Sequence, residues 1–411
     1  MILLSHPTAN QFSRSLLEGL YEKQLLESFH TCIHWDNQKT WNQWLPKQVQ
    51  NELDRRSFPK AFQSFIFSYP RYEWGRLLSG KFKLDNLIQH EKGIFCLDRV
   101  YHHLDKKVSL YLSRKGQNIS SIYAYEDGAL ESFLAAKKLN IHCIYDLPIA
   151  YWEFARKLYL EEAHRLPEWE GTLIGNKDSQ KKCDRKAREL DLADLVICPS
   201  QFVKDSIPNT VKKQKPVLVS PFGTPLINQK RISTKRRSGV VRFLFVGSMS
   251  QRKGLSDLFE AFNLLQRKDI ELHVLGTPIL EMEFYKNQFP HFVHHPTRPH
   301  KQVLDLMSQC DVFVLPSIVE GRAQVIQEAM SQSLPILITP NTGGEDLVDS
   351  QTGFLVPIRS PLEIAEKVNW FADNQSSISD MGTAARKKAK SVSWSRYQDN
   401  IIEAIQNIEC C

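Results

Sequence analysis

Asp311-Val312-Phe313-Val314-Leu315-Pro316 is an apolar run of strand length. Val319-Glu320-Gly321-Arg322-Ala323-Gln324-Val325-Ile326-Gln327-Glu328-Ala329-Met330 follows, and then a second apolar segment, Leu334-Pro335-Ile336-Leu337-Ile338. A strand that feeds a loop, a helix and another strand is the repeating unit of a parallel α/β sheet. It sets backbone N–H groups and the positive end of a helix beside any anion bound at the sheet's carboxyl edge. Glu320 in the loop and Glu328 in the helix bracket that place. Two such carboxylates can accept hydrogen bonds from hydroxyls on either side of a nucleotide diphosphate, and sugar nucleotides carry hydroxyls on both sides. The plainer reading is an ordinary loop acid and an exposed helix glutamate.

The surroundings favour the first reading. Upstream, Val241-Arg242-Phe243-Leu244-Phe245-Val246 reads as a central strand, and Gly247-Ser248-Met249-Ser250-Gln251-Arg252-Lys253-Gly254 leads from it into a helix with Leu255, Leu258, Phe259, Phe262 and Leu265 on one face. Downstream, Thr342-Gly343-Gly344-Glu345 follows another strand, where glycines let backbone approach a ligand closely. Three loops are thus expected at one sheet edge.

These pieces, with Leu315-Pro316-Ser317 and Thr352-Gly353-Phe354-Leu355-Val356-Pro357, occur in an order that resembles the carboxyl-terminal half of family 4 retaining glycosyltransferases of the GT-B fold. The resemblance is dense from about 241 to 390 and thins upstream, where Ala193-Asp194, Pro199-Ser200-Gln201-Phe202-Val203 and Pro221-Phe222-Gly223 are similar to the end of the family's first domain. It implies that Glu328 holds the donor ribose, that Glu320 contacts the donor sugar and that Lys253 meets the diphosphate. A fixed cation there suits the chemistry, because a leaving diphosphate gains charge as the glycosidic bond breaks. The chain also departs from the pattern. Ser248 stands where many members have an arginine, with Arg252 as a substitute, and the common Glu-Gly-Phe-Gly becomes Glu320-Gly321-Arg322-Ala323. Arg322 is either a replacement phosphate ligand or a surface residue.

With 411 residues and 42% hydrophobic content, the chain is expected to form two packed domains. The fold class is α/β, two Rossmann-like domains facing a cleft, with a final helix crossing back to the first. We place an acceptor-binding domain at 1–226, a basic linker at 227–239, a donor-binding domain at 240–390 and the returning helix at 391–411, its apolar face formed by Trp394, Tyr397, Ile401, Ile402 and Ile405. Strands are predicted at Met1–Ser5, Ser121–Tyr125, Ile141–Tyr145, Leu195–Pro199 and Pro216–Ser220, then at Val241–Val246, Glu271–Leu275, Asp311–Leu315 and Pro335–Thr339.

No apolar run reaches membrane-spanning length, and Met1-Ile2-Leu3-Leu4-Ser5-His6 reads as a first strand rather than a leader, so a cytoplasmic protein is expected. Eight scattered cysteines have no metal-ligand spacing and read as reduced core residues, except Cys410-Cys411, which read as a free terminus without the prenylation pattern. Lysine and arginine outnumber acids 53 to 46, a net charge of +7 that suits peripheral contact with the inner face of a membrane. No zinc, helix-turn-helix or ribonucleoprotein signature accompanies that charge, which argues against nucleic acid.

The first half is less explicit about chemistry. His6 and Asn10 follow the first strand and are candidates for the cleft or, more simply, turn and cap residues. Asp146, in Ile144-Tyr145-Asp146-Leu147-Pro148, is the first candidate for a polar group near the reacting carbon, with helix capping as its alternative. Asp127 is a weaker one. The aromatic segment Phe58 to Trp74 suits either core packing or a sugar- or membrane-facing edge.

Taken together, the expected activity is retaining hexosyl transfer from a nucleoside diphosphate sugar to a hydroxyl of a glycan or glycolipid, with no metal and no cofactor beyond the donor. The catalytic candidates are Glu320, Lys253, Arg252 and Asp146, and the donor contacts are Glu328, Gly247, Ser248, Gly321, Arg322, Ala323, Gly343 and Gly344. A non-catalytic relative acting as a glycan-binding or assembly subunit, and a nucleotide sugar epimerase, are the alternatives.

Overall fold

The computed structural model describes residues 1–8, 10–36, 47–225 and 239–410. The first sheet is built from β1 (Ile2–Ser5), β2 (Leu26–Thr31), β3 (Ile66–Ser68), β4 (Ser121–Tyr125), β5 (His142–Asp146), β6 (Leu195–Cys198) and β7 (Val217–Val219), in the order β3-β2-β1-β4-β5-β6-β7. The second comprises β8 (Val241–Val246), β9 (Ile270–Leu275), β10 (Val293–His295), β11 (Val312–Leu315), β12 (Ile336–Ile338) and β13 (Gly353–Leu355), in the order β10-β9-β8-β11-β12-β13. Among the described residues every pairing is parallel. The strand order reverses between β1 and β4 in one sheet and between β8 and β11 in the other. Ligands of open α/β sheets bind at such switch points, outside the carboxyl ends of the strands. The protein therefore has two Rossmann-like domains.

Central strands were legible because helices on both faces of a parallel sheet make them continuously apolar. β2 was not, because Glu27, Ser28 and His30 interrupt it. His30 is nevertheless buried, stacked on Phe67 and bonded to Ser28 Oγ at 3.1 Å. β3, β10 and β13 have three residues each, too few for a period. The aromatic segment is core: Phe58 and Phe62 are buried with β1 and β2, and Tyr72 and Trp74 pack on the neighbouring cluster.

The final helix, Trp394–Glu409, packs Tyr397, Ile401, Ile402 and Ile405 against Ile2, Leu4, Phe12 and Ile144 of the first domain. Another exchange runs the opposite way. Trp169, preceded by helix Trp152–Arg165, is buried in the second domain's core against Phe259, Phe284 and Tyr285. Of the expected linker 227–239, all but Gly239 lies outside the described residues, as does Cys411. Among the described residues, no helix is long and apolar enough to cross a membrane.

Candidate functional site

Three loops meet at the carboxyl edge of the second sheet. The turn after β8 ends at Gly254, which has φ +71°, and a Cβ there would lie 1.9 Å from the Pro316 carbonyl oxygen, so only glycine lets the loops after β8 and β11 touch. Those two loops are then tied by Ile318 N–H to the Arg252 carbonyl at 2.9 Å and by the Arg252 guanidinium to the Val319 carbonyl at 3.1 Å. The third loop joins through Ala323 N–H to the Thr342 carbonyl at 3.1 Å. Gly343, at φ +70°, brings its backbone so close that a Cβ would lie 2.0 Å from the Gly321 carbonyl oxygen.

This geometry gathers Lys253, Arg252 and Glu320. The Glu320 carboxylate is buried and takes the Arg252 guanidinium at 2.5 Å on the oxygen that also meets the Lys253 ammonium. Burial works to raise the Glu320 pKa, but Lys253 and Arg252 together outweigh it and hold the acid below its ordinary range. Burial depresses the Lys253 ammonium, partly offset by Glu320. Arg252 is the more exposed cation, its side chain 28% accessible against 11% for Lys253. The Gly247 Cα faces the Lys253 stem, where an added Cβ would stand 3.3 Å from Cε. Ser248 Oγ lies 3.3 Å from Ser250 Oγ.

Glu328 sits one helix face away, on Gln324–Ser331, and its carboxylate lies 3.1 Å from His300 Nε2. His300 did not stand out in the sequence, because a helix-start histidine carries no pattern. Arg322 is not the surface residue that the sequence allowed as one alternative. Its guanidinium is buried and bonds to Gln327 Oε1 at 3.1 Å, the Gly343 carbonyl at 2.9 Å and both oxygens of Asp346 at 2.7 and 3.1 Å. It braces the second loop against the third. The Ala323 amide is likewise engaged by Thr342, and the Gly344 amide donates to Thr342 Oγ1 at 3.3 Å.

The first domain closes over this edge. Ser200 Oγ donates to the Gly321 carbonyl at 2.6 Å, and a Cβ on Gly321 would meet the Pro148 carbonyl oxygen at 1.7 Å. Beside that contact, the first domain holds a cavity of about 130 Å³ lined by Glu126, Ala150, Trp152, Tyr159, Asp178 and Lys186. Burial raises the Glu126 pKa against the pull of Lys186. Beneath the turn after β8 runs a polar network that sequence reasoning missed. Gln251 donates to Glu162 at 2.7 Å and Asp257 at 2.8 Å, while Arg165 bridges Glu162 and Asp257 and the Gln251 amide donates to Thr172 Oγ1. It ties the turn to the other domain through residues 79 or more positions apart, which no local signal reveals.

Asp146 does not join the Lys253–Glu320 group. It is buried at the end of β5, with Tyr123, Glu126 and Tyr397 as polar neighbours, and burial pushes its pKa up to about 7. Asn10 caps helix Gln11–Glu22, its Oδ1 accepting from Ser13 N–H at 3.1 Å. His6 packs on Phe12 and Tyr125, accepts from Thr8 N–H, and is held neutral by burial, its pKa near 3. Asp127 donates its amide to Glu189 and faces Lys182 at 3.4 Å. Among the described residues, His90, Glu91 and Asp178 bring metal-ligating atoms within 4.8 Å of one another, but Lys182 and Lys186 each lie 3.2 Å from Asp178 and supply the balancing charge.

Residues 227–388 match the family of glycosyl transferases group 1. An uncharacterized glycosyltransferase of Methanocaldococcus jannaschii is 26% identical over 212 residues, 50% of this chain and 57% of that one. The capsular polysaccharide biosynthesis glycosyltransferase CapM of Staphylococcus aureus is 25% identical over 170 residues, 40% of this chain and 45% of that one. The chain thus spans about half the length of these relatives. Sucrose-phosphate synthase from Thermosynechococcus elongatus superposes with a TM-score of 0.67 at 15% identity, covering 99% of this chain and 98% of that one. HepE of Anabaena in complex with UDP gives 0.62 at 15% identity, with 99% of both chains covered. At that identity the structural likeness carries the two-domain GT-B fold.

Proposed function

We propose that this protein is a retaining glycosyltransferase that moves a hexose from a nucleoside diphosphate sugar to a hydroxyl of a glycan or glycolipid. The observation that carries the reading is the convergence of Lys253, Arg252 and Glu320 at the β8/β11 switch point, beneath the closing edge of the first domain. In this reading the diphosphate draws the two cations from Glu320, which then accepts from a sugar hydroxyl, while Glu328 accepts from the ribose. The C1–O bond to the diphosphate breaks, the acceptor oxygen bonds to C1 on the same face, and its proton passes to the leaving phosphate oxygen. Once drawn onto the diphosphate, the cations stabilise the growing charge without further reorganisation during the transfer. Arg322 acts by holding the loops, not by touching phosphate. The capsule-forming relative supports a glycan acceptor, which the cavity beside Ala150 would receive.

A panel of uridine, guanosine and adenosine diphosphate sugars, followed by calorimetry and donor consumption, tests this. One base is expected to bind, with Glu328→Ala weakening it. If none binds and Glu328→Ala changes nothing, the reading is wrong. Ser248 in place of an arginine, and the commitment of Arg322 to protein partners, favour a second reading as a non-catalytic glycan-binding or assembly subunit. That reading requires partner binding to survive Lys253→Ala, with no donor turnover at all.

A further inference from the structure

Between β3 and helix Leu97–Lys115 the chain builds an excursion that neither core explains. Helix Arg71–Lys81 packs inward through Tyr72, Trp74 and Leu77, but Leu78, Phe82, Leu84, Leu87, Ile94 and Leu97 stand in solvent, Phe82 at 66% and Ile94 at 57% exposure. An isolated surface leucine needs no explanation, whereas six large apolar side chains within 20 positions do. The backbone beneath them is built. Leu84 N–H donates to the Ser79 carbonyl and Phe95 N–H to the Leu87 carbonyl, each at 2.8 Å, and Phe95 anchors the turn against Tyr72. The side chains are therefore held outward by a defined fold.

The charges on this excursion are sorted by direction. Of its acids, Glu73 is buried on Arg76, Glu91 accepts from Ser179, and Asp98 is turned inward onto Lys182. Only Asp85 is exposed, whereas Arg71, Lys81, Lys83, Lys92 and Arg99 all are. Exposed apolar side chains flanked along the chain by exposed bases, as Phe82 and Leu84 are by Lys81 and Lys83, complement an anionic surface with an apolar layer beneath it. The excursion leaves the first sheet at the carboxyl end of β3, and its base is tied by His90 to Asp178, which lines the cavity beside Ala150. It thus stands on the same edge as the cleft.

We infer that the exposed turn around Phe82 and Leu84 is a docking surface for an anionic lipid bilayer, with Phe82 and Leu84 entering the acyl boundary and Lys81 and Lys83 among the headgroups. The sequence left Phe58 to Trp74 open between core packing and a sugar- or membrane-facing edge; the structure packs them in the core, and the exposed apolar residues begin just beyond them. The inference is independent of the transfer reaction.

The test is co-sedimentation of the full chain with extruded vesicles of phosphatidylcholine, with and without phosphatidylglycerol. Binding is expected to need the anionic lipid and to fall with salt, by about fivefold for each of Lys81→Glu and Lys83→Glu. Phe82→Ser with Leu84→Ser is expected to lower it at least about tenfold while the melting temperature holds, because both side chains are already exposed. Leu362→Ser, at a 73% exposed position elsewhere, should leave binding unchanged. The inference is overturned if vesicles do not bind, if the turn variants bind as well as the parent, or if Phe82→Ser instead abolishes self-association seen by sedimentation.

Discussion

Replacing Arg322 by methionine separates bracing from phosphate binding. Methionine keeps most of the buried stem but removes every donor. The Gly343 carbonyl and Gln327 Oε1 would each lose a partner in a buried setting, at about 1–3 kcal/mol per group. Asp346 is 46% exposed and turns to water, so the 3–5 kcal/mol typical of a broken buried ion pair does not apply in full. A loss of roughly 3 kcal/mol follows, which in domains of this size lowers the melting temperature by about 6–12 °C. Nucleoside diphosphate affinity, measured by calorimetry below the transition, should stay within about twofold, whereas Lys253→Met should weaken it at least about tenfold. If Arg322→Met melts with the parent and loses the diphosphate, then Arg322 is a phosphate ligand and the bracing role is wrong.

Glu328→Ala should weaken nucleoside diphosphate binding roughly 10- to 100-fold while leaving inorganic pyrophosphate unaffected, since only the ribose contact is lost; equal losses for both ligands would count against the ribose role. Gly254→Ala forces a Cβ against the Pro316 carbonyl in a left-handed turn, and urea unfolding should register a loss of about 3 kcal/mol or more. Burial raises the Asp146 pKa to about 7, so its folded form holds a proton that the unfolded chain has released. Its contribution to stability is full below about pH 4 and lost as pH rises through about 7. Urea midpoints for the parent should therefore decline over that window more steeply than those of Asp146→Asn, and parallel curves would refute the assignment.

Local sequence was sufficient where one physical demand acts on consecutive residues. Val312 to Leu315 and Val241 to Val246 must be apolar on both faces, so their pattern announces a buried parallel strand. Gly254 and Gly343 occupy left-handed positions where a side chain would strike a neighbouring loop; the sequence read Gly343 as a place for a ligand to approach, and the structure brings the Gly321 carbonyl there instead. Lys253 and Glu320 stand beside these turns, whereas the roles expected of them and of Glu328, which lies inside helix Gln324–Ser331, came from the family resemblance and not from local pattern. Tertiary structure alone decided direction and partner. Arg322 and Arg252 are both basic loop residues, yet one points into Asp346, Gln327 and the Gly343 carbonyl and the other onto Glu320. Asp146 ends a strand as expected but faces Tyr123 and Tyr397, the latter supplied by a helix some 250 positions away. Trp169 leaves its own domain for the other's core, and of the acids from Glu73 to Asp98 all but Asp85 turn inward while Lys81, Lys83, Lys92 and six apolar side chains stand exposed. Sequence spacing states which groups are available. Which of them meet depends on where distant segments pack, because charge and burial energies act through space rather than along the chain.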